Sequence, residues 1–343
     1  MNSHEVAELF QQAVAASQRA VQLAEHDESW ELLRRAAGSG AAAVRVAVTQ
    51  LADPQPTVRA AACDLLGLAS ELHEQVRGDA AAALVDLAAA ESDPDVHWSI
   101  ARALGATGDG RAVPVLVALA GSRDADVRFR VATALPGVLG AHPEGPGVAA
   151  LIALCDDLNP EVRNWATFAL GRMSTADGEA VRQALWERTR DEHRAVRQEG
   201  VRGLARRRDA RALPLVRVLL AEDKVAASTF EAAAFLAHPW LLPLLRGFDP
   251  ADDGVAEALR ECDPLRRVHR DETAWRLLEA LHELRPDLDG ALLGERFDLG
   301  LRLEVAGGPG NRAGYWFVEE LLTRAGGDPY LAAQLAVDDV STT

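Results

Sequence analysis

An all-α solenoid of stacked helix pairs is the fold this sequence predicts, and three observations predict it. A short pattern recurs along the middle of the chain: Asp or Asn, a few residues, Val, usually Arg, then a run rich in Ala and Leu that often closes on Gly. The anchor Val residues stand 38, 31, 35, 34 and 29 positions apart, room for two helices per unit. The apolar mass is mostly Ala, Leu and Val, with aromatics at only 5%, which suits closely packed helices.

The copies read as follows. Asp53 precedes Val58 and Arg59 and leads to Leu65, Leu66 and Gly67; Asp93 precedes Val96 and His97 and leads to Ala103, Leu104 and Gly105. Asp124 precedes Val127 and Arg128, ahead of Ala134 and Leu135; Asn159 precedes Val162 and Arg163, ahead of Ala169, Leu170 and Gly171. Asp191 precedes Val196 and Arg197, ahead of Gly203 and Leu204, and a degenerate copy begins at Asp223, Lys224 and Val225. Between them, Asp109–Pro114 echoes Asp209–Pro214.

Each unit has a readable physical logic. Asp or Asn accepts hydrogen bonds from the free N–H groups of the first helical turn, and a negative charge suits that end of the helix dipole. Pro94 and Pro160 fall in the first turn, where the missing N–H is not needed. Val, the residue four on and Leu eight on form one apolar stripe, which a single unit cannot bury, so neighbours must stack.

These units resemble HEAT repeats, in particular the bacterial HEAT-like class of phycobilisome-linked lyases, over roughly residues 41 to 247. The resemblance implies a right-handed α-solenoid of stacked HEAT-like helix pairs with helical caps. It also implies that the recurring Asp and Arg form a ladder between turns, so that Asp53, Arg59, Asp124, Arg128, Arg163 and Arg197 are structural. His97 stands where its unit should carry the ladder Arg.

The expected organisation is N-terminal capping helices over 1–40, repeats over 41–250, and a C-terminal helical cap or small appended module over 251–343. Phe10 and Trp30 belong to the first of these. In the last, Val255–Leu284 reads as helical, with Trp275, Leu277, Leu278 and Leu281 at helical spacing. Residues 296–306 alternate and suit one short strand or an irregular link. The glycine-rich stretch 307–314 reads as a loop, followed by an amphipathic helix from Tyr315 to Arg324 and a helical turn near Tyr330.

Composition narrows the function. A net charge of −16 argues against a nucleic-acid partner, since a polyanion is repelled at long range. Three scattered cysteines, Cys63, Cys155 and Cys262, without a CxxC, read as reduced structural thiols. The N-terminus lacks a signal-peptide pattern and no apolar run approaches ~18 residues, so a cytoplasmic protein with no membrane span is expected. The near-absence of Lys, with heavy Ala, Gly and Arg, points to a GC-rich bacterial coding background.

No HExxH, GxSxG or GxxxxGK[ST] occurs, and no cofactor or metal is expected. Asp263, His269, Asp271 and Glu272 lack metal-ligand spacing and read as solvated helix surface. The stretch from Gly308 to Gly314 precedes a helix, but without a clear strand or a Lys-Ser/Thr pair it reads as a linker rather than an anion cradle.

The lead is geometric. With the anchor Val inward, positions two, five and six residues later leave the core. They are Trp98, Ala101 and Arg102; Phe129, Ala132 and Thr133; Asn164, Thr167 and Phe168; Gln198, Val201 and Arg202. Arg130, Trp165 and Glu199 adjoin them, and the degenerate copy adds Glu231. Aromatics and Arg are the side chains that anchor partners best. The leading reading is therefore a scaffold holding a protein or peptide in a concave groove, with a small-molecule ligand also compatible. The alternative is an enzyme or enzyme subunit in that groove, of lyase or isomerase type. There His97 or Glu199, with Glu231, would serve as acid or base, and Arg102 or Arg202 would hold an anionic substrate. HEAT-like DNA alkylpurine glycosylases are a weaker match, because Trp98 is followed four residues on by Arg102 rather than a carboxylate.

Overall fold

The architecture follows from the cap-and-stripe logic of each unit. A computed structural model of the chain describes residues 1–19, 23–140, 144–294, 297, 299–306 and 313–341. The chain divides into two compact units, Met1–Gly203 and Leu204–Thr343.

The first unit opens with two helices, α1 (Ser3–Arg19) and α2 (Leu23–Ala37). Helix pairs follow: α3 (Ala41–Gln50) with α4 (Pro56–Leu72), α5 (Arg77–Ala88) with α6 (Pro94–Thr107), and α7 (Val113–Leu119) with α8 (Ala125–Ala134). They continue as α9 (Pro146–Leu154) with α10 (Pro160–Phe168), and α11 (Glu179–Arg188) with α12 (Arg194–Arg206). The second helices pack side by side, α4 on α6, α6 on α8 and α8 on α10, forming an α-solenoid. α10 runs on into a wider π-helical turn, Ala169–Met173.

The anchors are buried as the stripe requires. Val58, Val96, Val127, Val162 and Val196 are all core residues, and so are Leu66, Leu104, Leu135, Leu170 and Leu204, eight positions on. Asp93, Asp124 and Asn159 cap α6, α8 and α10 by accepting from the N–H groups two and three residues ahead. The closing glycine has a separate cause. A Cβ on Gly105 would lie 2.9 Å from Cα of Ala134, and one on Gly171 would lie 3.0 Å from Cα of Gly203. These glycines let neighbouring second helices touch backbone to backbone.

The Arg ladder has a uniform geometry. Arg59, Arg128, Arg163 and Arg197 each donate from Nη1 to the carbonyls six and five residues earlier, Asp53 and Pro54 in the first case. Three of them also reach forward to an acid of the next unit: Arg59 to Glu91 (2.7 Å), Arg128 to Asp157 (2.6 Å) and Arg163 to Asp191 (2.9 Å). The ladder acids are thus not the capping residues that the sequence suggested. They stand two positions before the cap, where they also accept from the cap's own N–H. Asp191, read as a cap, is a ladder acid that accepts from the N–H of His193. Asp53 accepts from the Gln55 N–H at a turn and Asp124 is a pure cap.

The second unit holds α13 (Ala212–Leu219), α14 (Ala227–Leu236), α15 (Leu242–Leu245), α16 (Val255–Cys262) and α17 (Pro264–Leu284). Val225, read as an anchor, precedes α14; the helix instead buries Thr229, Phe230 and Ala233. A three-stranded antiparallel sheet follows, β1 (Asp289–Leu293), β2 (Arg302–Ala306) and β3 (Gly314–Phe317), in the order β1-β2-β3. α18 (Val318–Arg324) and α19 (Pro329–Ser341) end the chain's described part. Leu277, Leu278 and Leu281 of α17, Leu303 and Val305 of β2, Leu321 of α18 and Ala333 of α19 share one core. Trp275 is turned out and exposed. Of the alternating stretch 296–306, Arg302–Ala306 form the middle strand, Leu303 and Val305 inward and Glu304 outward, while 296 and 298 lie outside the described residues. Tyr315 begins no helix: it lies on β3, paired with Glu304. The helical turn near Tyr330 extends to 13 residues. Residues 307–312 of the glycine-rich stretch lie outside the described residues.

Candidate functional site

Three side-chain positions of each second helix were expected to leave the core, and two do. Trp98, Arg102, Phe129, Thr133, Asn164, Phe168, Gln198 and Arg202, at the second and sixth offsets, are half-buried. The fifth offset is a correction: Ala101, Ala132, Thr167 and Val201 are buried. That flank is covered by packed helices rather than solvent, and Thr167 on it meets Cys155 at the end of α9. Arg130, Trp165 and Glu199 are half-buried beside the outward positions. Glu231 is half-buried on α14 of the second unit, where its charge helps to raise the carboxyl of Glu257, itself raised chiefly by burial.

The outward residues of the first unit join into a continuous contact chain. The Arg130 guanidinium stacks on Trp98 at 4.1 Å and lies 5.7 Å from the Phe129 ring. Phe129 meets Trp165 edge to face at 5.6 Å, and Trp165 meets Phe168 in the same way at 5.5 Å. Arg202 lies 5.2 Å from Phe168 and pairs with Glu199 at 3.3 Å. Edge-to-face pairs add about 0.5–1.5 kcal/mol each beyond burial. Rigid aromatic surface is therefore held half-open across α6, α8 and α10. The Asn164 Oδ1 atom in this row is buried with no hydrogen-bond partner.

At the N-terminal end the row opens into a cleft of about 650 Å³ lined by Trp30, Glu31, Arg34, Leu68, Glu71, Trp98, Arg102 and Arg130. Arg102 lies over the Trp30 ring at 4.4 Å, donates to Asp64 Oδ1 at 3.1 Å and stands 3.5 Å from Glu71. Burial pushes the Asp64 carboxyl up, and the neighbouring Arg102 works against that shift. Arg130 is different. Burial lowers its pKa, Arg102 lowers it further by like-charge repulsion, and Asp64 opposes both. Its Nε is buried without a hydrogen-bond partner, and among the described residues no carboxylate comes within ion-pair distance.

Asp64 and Glu71 were not singled out in the sequence, and Trp30 was assigned to the capping helices rather than to the groove. Asp64 was recoverable, since it stands six residues after Val58, the same offset that selects Arg102. Trp30 comes from a capping helix without the repeat signal. His97, a catalytic candidate, belongs elsewhere: its Nε2 lies 3.2 Å from the Glu91 carbonyl, six residues back, where other units place the ladder Arg. Glu199 is engaged by Arg202. Asp263 caps α17, while His269, Asp271 and Glu272 lie exposed along that helix.

Stacked helix pairs, tied by an Arg–acid ladder and buried through a Val–Leu stripe, define a helical repeat protein. A family model described as HEAT repeats matches residues 44–136 and 148–237, more than half of the sequence, and the chain belongs to that family. Protein YibA of Escherichia coli (strain K12) is 36% identical over 98 residues, covering 29% of this chain and 35% of YibA. The chain thus matches about a third of that relative's length by sequence. The crystal structure of YibA superposes with a TM-score of 0.57 at 22% identity, covering 76% of this chain and 94% of that one. The karyopherin Kap121p, bound to the extreme C-terminus of the protein phosphatase Cdc14p, has a TM-score of 0.54 at 13% identity, covering 84% of this chain and 37% of Kap121p.

Proposed function

We propose that this HEAT-repeat chain is a binding scaffold that holds a protein or peptide segment in a concave groove along the row from Trp98 to Arg202. The observation that carries this reading is the unbroken contact chain Trp98, Arg130, Phe129, Trp165, Phe168, Arg202, half-exposed on successive second helices. Its rings are braced by one another, so little side-chain entropy is lost on docking. Trp, Phe and Arg are the types that dominate binding energy in interfaces. That the fold accommodates chain segments is illustrated by Kap121p with the C-terminus of Cdc14p. Within this reading Gln198, Thr133 and Asn164 supply polar contacts between the aromatic anchors.

Site-specific photo-crosslinking tests it. A p-benzoylphenylalanine at position 165 should give a discrete protein adduct in an extract of the source cells. The same group at position 158, where Leu158 is fully exposed away from the row, should not. No protein adduct from 165, or equal labelling at both positions, overturns the scaffold reading. Protection of position 165 by the small-molecule fraction alone would favour the enzyme alternative.

A further inference from the structure

The cleft at the N-terminal end of the row holds a half-buried guanidinium that pairs with no carboxylate among the described residues. Three guanidinium groups line it, from Arg34, Arg102 and Arg130. Arg102 is satisfied by Asp64 and Glu71, at 3.1 Å and 3.5 Å. Arg130 lies over the Trp98 ring at 4.1 Å, with no anion of its own and its Nε sealed from solvent. A guanidinium taken partly out of water without a partner is costly, and a cation–π contact offsets only about 0.5–2 kcal/mol of that cost. Such a group is preorganised for an anion from outside, because its orientation is already fixed by the ring beneath it.

The surroundings select the anion. Glu31 and Glu71 stand at the rim of the same cleft and Asp64 lies beside Arg102, so a dianion would meet three nearby carboxylates. Arg34 is exposed to water, so a single negative charge matches the one half-buried cation that has no carboxylate of its own. Charged side chains make up most of the lining, and the Trp30 and Trp98 rings add an aromatic surface on which the methylene groups of an organic acid can lie.

We infer that Arg130, stacked on Trp98, is the anchor for one carboxylate of the bound polypeptide, supplied either by an acidic side chain or by a free C-terminus. This rests on the scaffold reading and specifies the chemistry of what the scaffold holds. The flat guanidinium accepts a carboxylate in its own plane while the flanking residues of the partner run on over Phe129 and Trp165.

The test follows the arginine ¹⁵Nε resonances of the intact chain, the Arg130 signal being the one lost in Arg130→Gln. Acetate should shift that signal saturably, with Arg102 unmoved, whereas chloride at matched ionic strength should not. An Arg130 response no different from that to chloride overturns the inference. Saturation by inorganic phosphate at lower concentration than acetate overturns the carboxylate assignment. Two peptides separate the sources: acetyl-Ala-Glu-Ala-amide, with a side-chain carboxylate only, and acetyl-Ala-Gln-Ala with a free C-terminus. The true source should bind at least about tenfold more tightly than acetate; if neither does, a polypeptide occupant is ruled out. Thermal melting provides a second readout. Arg130→Gln should lower the melting temperature less than Arg102→Gln, because only Arg102 has an ion pair to lose; an equal or larger fall makes Arg130 structural. Acetate needs no partner protein, so failure here and failure of the crosslink at 165 are separate outcomes.

Discussion

Arg128 grips Asp157 of the following repeat with two parallel hydrogen bonds, Nε to Oδ2 at 2.6 Å and Nη2 to Oδ1 at 2.9 Å. Its remaining arm holds the carbonyls of Ser122 and Arg123. One side chain therefore closes its own inter-helix turn and ties that turn to the next. Asp157 is largely buried, so removing its partner strands a carboxylate. Arg128→Met is expected to destabilise the chain by about 3 kcal/mol, read as a lower urea midpoint. Arg123→Met, which removes an exposed side chain and no rung, is expected to change it by less than about 0.5 kcal/mol.

The ladder makes stability depend on acid. Hydrogen bonds from Arg59 hold the Glu91 carboxyl at about 2 against an ordinary 4.5. Burial opposes the shift in Asp157 and Asp191, yet Arg128 and Arg163 still hold both below their ordinary value. A depressed carboxyl contributes stability that is fully present above its unfolded value and is lost as pH falls through its folded one. Asp64, Glu257 and Glu319, all raised mainly by burial, work in the opposite sense. Among the described residues these are three groups against five, once Asp109 and Asp287, lowered by Arg111 and Arg285, join the ladder acids. The urea midpoint should therefore fall as pH drops from about 4.5 towards about 2. Glu91→Gln should be less stable at neutral pH and flatter over that interval. An acid-insensitive midpoint in the parent chain would contradict this.

One rung is missing on both sides. His97 takes the place of Arg, and Ser122 stands where the acid belongs, its Oγ accepting from the N–H of Asp124 as Asp157 does from that of Asn159. His97→Arg combined with Ser122→Asp should rebuild the rung. The double variant is expected to gain about 1 kcal/mol more than the two single changes added together. Additive singles in a double-mutant cycle would show that the geometry there cannot close.

Close helix approach should be intolerant of a single methyl group. Gly105→Ala would place a Cβ 2.8 Å from Cβ of Ala134 and 2.9 Å from its Cα. A loss of about 1–3 kcal/mol is expected, although Ala is the better helix former. Gly110→Ala meets nothing within 4 Å and serves as the control.

The three thiols should be inert in the native chain. Burial pushes Cys155 and Cys262 up to about 12 and Cys63 well above its ordinary value, and all three are buried. Labelling by a disulfide reagent at neutral pH should follow global unfolding, because the thiolate is the reactive form. Fast labelling of one thiol under native conditions would expose a local opening at that position.

Much of this molecule was legible from the chain alone. Helix caps such as Asp93 and Asn159, and anchors such as Val96 and Leu104, obey rules that operate within about two turns of helix. Register carried from anchor to anchor then located Trp98, Phe129, Phe168 and Arg202 on one row. The same register misjudged Ala101, Ala132, Thr167 and Val201, because it describes a helix with one buried face, whereas second helices such as α6, α8 and α10 pack against their own first helix and against other second helices as well. The β-sheet of the second unit escaped for a related reason. β1 and β3 are short, and only pairing with β2 makes them strands.

The sequence by itself determined the repeat, its caps, its buried stripe and the row of outward aromatic and Arg side chains, because all of these are local periodicities. Tertiary structure alone decided that Arg128 meets Asp157, that Trp30 closes the end of the row over Arg102, and that Arg130 is left on Trp98 without an anion. Those relations join residues some thirty or more positions apart, or depend on which of several nearby acids is already taken. They are set by the rise and rotation between packed helices, which no single helix encodes.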